Sequence, residues 1–269
     1  MYNFTFHQPT TLRQAINLLV KTEDAKLLAG GHSLLPVMKQ RLASPAAIID
    51  ISRIPELVGV ELKGRSVVIG GGTTHSAVAN SKELQDAIPG LAEVPASIGD
   101  PHVRHRGTIG GSIANNDPNA DYPAACLGLG ATIITNKRRI AADDFFQGMF
   151  STALEPNEII TKVQFPIPQK AAYQKFKHPA SGFALVGVFV SKRGPDIRVA
   201  VTGAGANGVF RVPEFEAALK TRFAPKSLEG LSISADGMNN DIHAGPDYRA
   251  HLVGVLARRA VADANARKA

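Results

Sequence analysis

The chain has 269 residues, of which 44% are hydrophobic and 20% charged, and its 30 lysine and arginine residues against 23 acidic residues give a net charge of +7. This length allows two or three compact units, and no apolar run is long enough for a membrane helix, so we expect a cytoplasmic protein without an integral membrane segment. The basic residues are interspersed with acidic ones and no aromatic residues alternate with a basic tract, which argues against nucleic acid as a partner.

Alternating strands and helices are predicted for a first subdomain over residues 1 to about 55. Thr11 and Gln14 form a capping box ahead of apolar residues at helical spacing, which predicts a helix through Leu19. The predicted strands cover residues 2–7, 26–28 and 46–51.

A glycine pair interrupts this first subdomain in the stretch Ala29-Gly30-Gly31-His32-Ser33-Leu34-Leu35-Pro36. Adjacent glycines tolerate positive φ and carry no Cβ atoms that would keep an anion away from the backbone amides. Ser33 is a good N-cap, and Pro36 falls in the first turn of the helix that follows. The stretch predicts a phosphate-binding turn, with an ordinary turn between a strand and a helix as the alternative.

The second predicted subdomain continues to residue 170 and begins with a hairpin. A turn of three glycines follows the hairpin and leads to a predicted helix through Val78 and Leu84. His75, at the start of this helix, is interpreted as a capping or surface residue rather than a metal ligand. A short buried helix is predicted over residues 122–129, and strands are predicted over 57–62, 66–69, 131–135 and 158–165.

A second glycine-rich stretch lies within this subdomain, over residues 104–118 (R-H-R-G-T-I-G-G-S-I-A-N-N-D-P). It places cationic groups and hydroxyls around three glycines. One glycine turn can wrap one phosphate, so two such turns predict a grip on a pyrophosphate from both sides.

The C-terminal part is predicted to be an antiparallel sheet covered by helices on one face. Residues 166–170 contain two prolines and form the clearest linker. Residues 203–208 match the dinucleotide fingerprint G-x-G-x-x-G, but no helix begins inside the motif, so we interpret it as a turn between strands. The predicted strands cover residues 173–177, 184–192 and 197–202, and the predicted helices begin at residues 213 and 248.

The two glycine-rich stretches and the continuation Asp117-Pro118-Asn119-Ala120-Asp121-Tyr122-Pro123 together resemble the FAD-binding medium subunits of molybdenum hydroxylases, among them that of aerobic carbon monoxide dehydrogenase and, more distantly, the flavin domain of xanthine dehydrogenase. The resemblance implies an α+β fold: a two-subdomain FAD-binding domain of the vanillyl-alcohol-oxidase-like (PCMH) type over residues 1–170, divided near residue 55, and a smaller C-terminal domain over 171–269.

The same resemblance implies the residues that bind FAD. The two glycine stretches would hold the pyrophosphate, with Arg104 and Arg106 offsetting its charge, and Asp121 would accept a hydrogen bond from the adenosine end unless it is a solvated turn residue. Phe183, with core packing as the alternative, and Ile160 would lie near the flavin ring. The full predicted set is Ala29, Gly30, Gly31, His32, Ser33, Leu34, Thr108, Ile109, Gly110, Gly111, Ser112, Asn116, Asp121, Ile160 and Phe183.

Two positions depart from the family pattern, because His105 stands where the family typically has an asparagine or an aromatic residue, and Ser112 stands where many relatives carry asparagine. No Ser-His-acid or Cys-His arrangement can be assembled, and the single cysteine, Cys126, cannot anchor an iron–sulfur cluster. We therefore expect a chain without catalytic residues or metal ligands of its own, whose chemistry is that of its cofactor.

By resemblance, the expected partners are a large molybdopterin-cofactor subunit and a small two-iron two-sulfur subunit, assembled as a dimer of heterotrimers. The chain would then be the exit for electrons, through FAD. Two alternatives stay open: an autonomous flavin oxidase of the same superfamily, and a basic binding module that has lost the flavin. The sequence names neither the substrate of the complex nor the electron acceptor.

Overall fold

The computed structural model describes residues 1–267 and contains three main sheets, each with its own helices. The mixed α+β fold expected from the sequence is confirmed. Across residues 1–267, no helix combines the length and the apolar character needed to cross a bilayer.

The first unit is a three-stranded parallel sheet in the order β1-β3-β2. The Thr11 hydroxyl accepts a hydrogen bond from the Gln14 amide at 3.3 Å and begins the first helix as predicted, although the Gln14 side chain returns to the Thr10 amide rather than to Thr11. The predicted first strand is shorter than residues 2–7, because pairing begins only at Thr5. The elements are β1 (Thr5–His7), α1 (Leu12–Lys21), β2 (Ala25–Leu28), α2 (Leu34–Lys39) and β3 (Ala47–Asp50).

The second unit is built on a five-stranded antiparallel sheet whose central strand comes last in sequence. In that strand Val163 pairs with Ile69 on one side and with Ile133 on the other, and all three side chains are buried. The elements are β4 (Val60–Lys63), β5 (Ser66–Gly70), α3 (His75–Ala79), α4 (Lys82–Ala87), α5 (Pro89–Ala96), α6 (Pro101–Arg106), α7 (Ile109–Asn115), α8 (Tyr122–Leu129), β6 (Thr132–Thr135), β7 (Arg139–Ala141), α9 (Ala142–Phe145), β8 (Phe146–Gly148), β9 (Ser151–Thr152) and β10 (Ile160–Pro166).

The helices of this unit differ most from the prediction. The single helix expected through Val78 and Leu84 is two helices, because the Ser81 hydroxyl caps α4 by accepting from the Leu84 amide. α5 and α6 are not predicted, and the second glycine stretch is a helix, α7, rather than a turn alone. The interpretation of His75 as a surface residue is wrong, since only 5% of it is exposed.

The C-terminal unit is a four-stranded antiparallel sheet in the order β11-β12-β13-β14. Its helices α10 and α11 cover one face as predicted, but the other face packs on α5 and α8, so the expectation of a single covered face is wrong. β12 shows why, since residues 184–191 are all buried without alternation. The elements are β11 (Lys170–Lys177), β12 (Ala184–Arg193), β13 (Asp196–Thr202), β14 (Phe210–Arg211), α10 (Pro213–Thr221) and α11 (Pro246–Ala266).

The G-x-G-x-x-G match at residues 203–208 is a turn, as predicted, because the next helix begins only at Pro213. The predicted linker is shorter than residues 166–170, since Pro166 ends β10 and Lys170 begins β11. The division into domains at residue 170 stays a prediction. The last two residues of the predicted C-terminal domain, 268–269, lie outside the described residues.

A buried carboxylate secures the entry to β10. Glu158 accepts hydrogen bonds from Arg138 Nε at 2.8 Å, from the Glu155 amide at 2.9 Å and from the Thr135 hydroxyl at 3.1 Å. The hydrogen bond from Arg138 is the main cause that lowers the pKa of Glu158 to about 2. Because the pKa is lowered on folding, this stabilisation is present above the unfolded carboxyl pKa of about 4.3 and is lost as the pH falls toward 2.

We therefore predict that Glu158→Gln lowers the free energy of unfolding at pH 7 by on the order of 2 kcal/mol, a figure reduced because Arg138 is partly solvated. The difference from wild type should shrink as the pH falls below about 4. Urea titrations across this pH range measure it, and Glu155→Gln is the control, since the exposed Glu155 carboxylate lies 3.8 Å from the same arginine. An equal loss in both variants would contradict the role of Glu158.

Candidate functional site

The first glycine turn connects β2 to α2 and lies against the end of α6. A Cβ atom on Gly30 would collide with the Arg106 carbonyl oxygen and lie 2.7 Å from the Gly107 Cα. Gly31 has a φ of +77°, which L side chains rarely adopt. The two glycine-rich stretches, far apart in sequence, are thus in direct backbone contact.

The first turn leaves its backbone donors free. Within residues 1–267, the amides of Gly30, Gly31, His32, Ser33 and Leu34 donate no hydrogen bond to the protein. Ser33 occupies the N-cap position of α2 as predicted, but its hydroxyl accepts no capping hydrogen bond. Successive free amides in a turn form a concave site suited to an anion.

The second glycine stretch is different, because the fold uses its amides. Thr108 caps α7 by accepting from the Gly111 amide at 3.1 Å, the Ile109 amide donates to the Thr73 carbonyl at 3.1 Å, and the Gly110 amide donates to the Gly71 carbonyl at 2.8 Å. A Cβ on Gly110 would lie 2.5 Å from that Gly71 oxygen, so Gly110 is required by backbone packing.

Gly111 is the glycine of this stretch that faces outward. It is exposed, and a Cβ placed on it would meet only the Thr108 hydroxyl at 2.9 Å and the Ala29 Cβ at 3.9 Å. The first turn therefore contributes donors, while Gly111 contributes an open surface next to Ala29.

An open cleft of about 440 Å³ lies beside the first turn, lined by His32, Pro101, His102, His105 and Arg106. One guanidinium and three imidazoles therefore surround it, which suits a polyanionic group. Arg104, predicted to share this role, instead donates from its side chain to the carbonyls of Ile98 and Gly99, at 2.6 and 2.8 Å.

Next to Gly107, burial lowers the pKa of His75 to about 4, and the neighbouring His32 and Arg104 act in the same direction. His75 is therefore neutral at pH 7 and adds no charge to the cleft. Its ring lies 5.4 Å from the Tyr122 ring.

Asn116 and Asp121 have side chains that are engaged by the protein itself. The Asn116 amide group donates to the carbonyls of Gly148 and Ser151, at 2.7 and 2.9 Å. Asp121 accepts from the Tyr173 hydroxyl at 2.5 Å and from Lys175 Nζ at 2.9 Å, and its interpretation as a solvated turn residue is wrong, since only 3% of it is exposed.

Burial dominates the electrostatics of this pair. It raises the pKa of Asp121 and lowers that of Lys175, while their mutual attraction opposes both shifts. The Asp121–Lys175 contact joins the start of α8 to β11, and so joins the second unit to the C-terminal sheet. A hydrogen bond from FAD to Asp121 stays a prediction.

The residues predicted near the flavin ring lie on two other elements. Ile160 begins β10 and is buried, and its carbonyl would collide with a Cβ on Gly71. Phe183 is 50% exposed on the loop between β11 and β12, so core packing does not account for it. Both assignments stay predictions.

The structure thus brings together the first glycine turn, Thr108 and Gly111, with Ser112 in the first turns of α7. It adds Pro101 and His102, which the sequence reasoning missed. Their helix has a recognisable signal, because Asp100 caps α6 by accepting from the His102 amide, Pro101 stands in its first turn and basic residues fill its last turn.

Comparisons with known proteins agree with this geometry. Residues 2–168 match the model of the family described as the FAD binding domain in molybdopterin dehydrogenase. The chain is 36% identical to the carbon monoxide dehydrogenase medium chain of Afipia carboxidovorans, with 98% of each chain covered, and 36% identical to the nicotine 6-hydroxylase medium subunit of Paenarthrobacter nicotinovorans, with 97% of each covered.

Comparison with solved structures identifies the same family. A chain of the solved carbon monoxide dehydrogenase from Hydrogenophaga pseudoflava superposes with a TM-score of 0.88 at 35% identity, with 100% of this chain and 99% of that chain covered. The protein therefore belongs to the family of FAD-binding medium subunits of molybdenum hydroxylases, which are oxidoreductase subunits of multi-subunit complexes.

Proposed function

We propose that the chain carries FAD as the electron exit of a molybdenum hydroxylase, receiving electrons from a small two-iron two-sulfur subunit that is in turn supplied by a large molybdopterin-cofactor subunit. The proposed assembly is a dimer of these heterotrimers. The observation that carries the proposal is the turn of five free amides beside the cleft of three imidazoles and Arg106.

These groups fit the diphosphate of FAD. The amides of Gly30 to Leu34 would donate to its oxygens, and Arg106 would offset its charge from the cleft. Gly111 would leave room for the diphosphate next to Ala29, and Phe183 would contact the flavin ring. Bound FAD would supply the redox chemistry, while the chain binds and orients it.

The substrate belongs to the partner subunits in this proposal. Two relatives that are equally identical to this chain are named for carbon monoxide and for nicotine. The sequence identity of a medium subunit therefore does not indicate the substrate of its complex.

We predict that Arg106→Ala weakens FAD binding about tenfold, because a charged hydrogen-bond donor is lost from the diphosphate site. Fluorescence titration of the flavin-free chain with FAD gives the dissociation constant. Arg139→Ala is the charge-matched control, since that exposed guanidinium contacts Gln164 at 2.7 Å on the five-stranded sheet. If both variants bind FAD equally well, Arg106 does not contact the diphosphate.

A second prediction separates the electron exit from an autonomous oxidase. Under anaerobic conditions dithionite should bleach the flavin of the isolated chain, whereas carbon monoxide, nicotine or a purine should leave it oxidised. Substrate should bleach it only after the large and small subunits are added, because we assign the chain no catalytic acid, base or cluster of its own. Bleaching of the isolated chain by an organic substrate would favour the oxidase instead.

A further inference from the structure

The loop between β11 and β12, residues 178–183, is organised by one imidazole. His178 Nδ1 accepts hydrogen bonds from the Ala180 amide at 3.3 Å and from the Ser181 amide at 3.2 Å, and it lies 3.1 Å from the Ser181 hydroxyl. Because two amides point at Nδ1, this nitrogen carries no proton and the Ser181 hydroxyl is also its donor. The ring nitrogen thus takes the place of a backbone acceptor.

Further hydrogen bonds transmit this arrangement to Phe183. The His178 amide donates to the Phe183 carbonyl at 2.8 Å, and the Gly182 amide donates to the His178 carbonyl at 2.9 Å. The Phe183 amide donates to the Ser181 hydroxyl oxygen at 3.3 Å. The imidazole therefore reaches Phe183 through the Ser181 hydroxyl, which lies against Nδ1 and accepts from the Phe183 amide, in addition to the backbone bonds that close the loop.

The loop is also placed relative to the candidate site. Gly182 has a φ of +71°, and a Cβ on it would lie 3.0 Å from the Gly99 Cα. The Gly99 carbonyl accepts from Arg104 of α6, the same helix that presents His105 and Arg106 to the cleft. A continuous set of contacts thus joins the 178–183 loop to the helix that lines the cleft.

Phe183 is half exposed despite this constraint. Phe176 and Tyr248, which are also partly exposed, pack edge to face at 6.3 Å, and the His243 ring packs on His178 at 4.2 Å. Among residues 1–267 Phe183 has no such ring partner. The Phe183 ring is therefore free to contact a planar ligand.

We propose that His178 is a positioning residue for the flavin: its Nδ1, as the acceptor inside the 178–183 loop for the amides of Ala180 and Ser181, holds Phe183 where the flavin ring will contact it. The proposal rests on the FAD site proposed above. Without the acceptor, the amides of Ala180 and Ser181 lose their partner, the loop samples other conformations, and ordering Phe183 again costs binding free energy.

A double-mutant cycle on the full chain tests this role through the FAD dissociation constant and the quenching of flavin fluorescence by the bound protein. His178→Ala and Phe183→Ala should each raise the dissociation constant about threefold to tenfold, the range for one aromatic contact, and each should reduce the quenching. Because His178 acts through Phe183, the double variant should bind no more weakly than Phe183→Ala alone.

Two further variants distinguish a positioning role of His178 from a general loss of loop structure. His178→Asn should restore most of the affinity and quenching, because an asparagine oxygen accepts from the amide two residues on, here that of Ala180. His243→Ala, which removes the ring packed on His178 but no acceptor of the loop, should behave as wild type.

The opposite results overturn the proposal. Additive losses in the cycle, an asparagine variant no better than the alanine variant, or unchanged FAD binding in His178→Ala would each show that His178 does not position Phe183. A wild-type chain that takes up no FAD would overturn the proposed function as well, so the two failures are distinguishable.

Discussion

The candidate site depends on one close backbone approach, that of Gly30 to the Arg106–Gly107 peptide. Any side chain at Gly30 would collide with the Arg106 carbonyl and separate the first glycine turn from α6. His32 on one side of this contact and Arg106 on the other line the same cleft, so the contact sets the position of the Arg106 guanidinium and the His32 imidazole relative to the free amides. Glycine is needed here for packing between two segments of the protein, before any ligand is considered.

A second close approach explains why the two glycine stretches have different roles. Gly110 packs on the Gly71 carbonyl, and Gly71 in turn packs on the Ile160 carbonyl, so α7, the turn after β5 and the start of β10 meet without side chains between them. This packing uses the amides at the start of α7, whereas the amides of the first turn donate no hydrogen bond within residues 1–267. The two glycine stretches look alike in sequence but differ in role. Residues 30–34 form a donor turn with free amides, whereas α7 is a packing helix whose first amides bond the protein.

Local signals predicted much of the fold. The Thr11 cap, the buried helix over residues 122–129 and the turn at 203–208 each depend on neighbouring residues, and each is confirmed. The separate roles of Arg104 and Arg106 follow from α6, whose weak apolar periodicity concealed it although the cap at Asp100 and the proline after it were signals for a helix.

Long-range contacts explain the other differences. Asp121 is buried because Tyr173 and Lys175 reach it from a strand some 50 residues later, which no local pattern encodes. The second covered face of the C-terminal sheet likewise depends on α5 and α8, although the unbroken apolar run of β12 was a signal for it.

Hydrogen exchange of the flavin-free chain, with and without FAD, tests the division between donor turn and packing helix most directly. The amides of residues 30–34 should exchange rapidly without FAD and become protected with it, because no acceptor within residues 1–267 bonds them and the ligand would replace water as their acceptor. The amides of Ile109, Gly110 and Gly111 should change much less, since the protein already bonds them. Protection that appears at residues 109–111 while residues 30–34 stay unprotected would contradict the account.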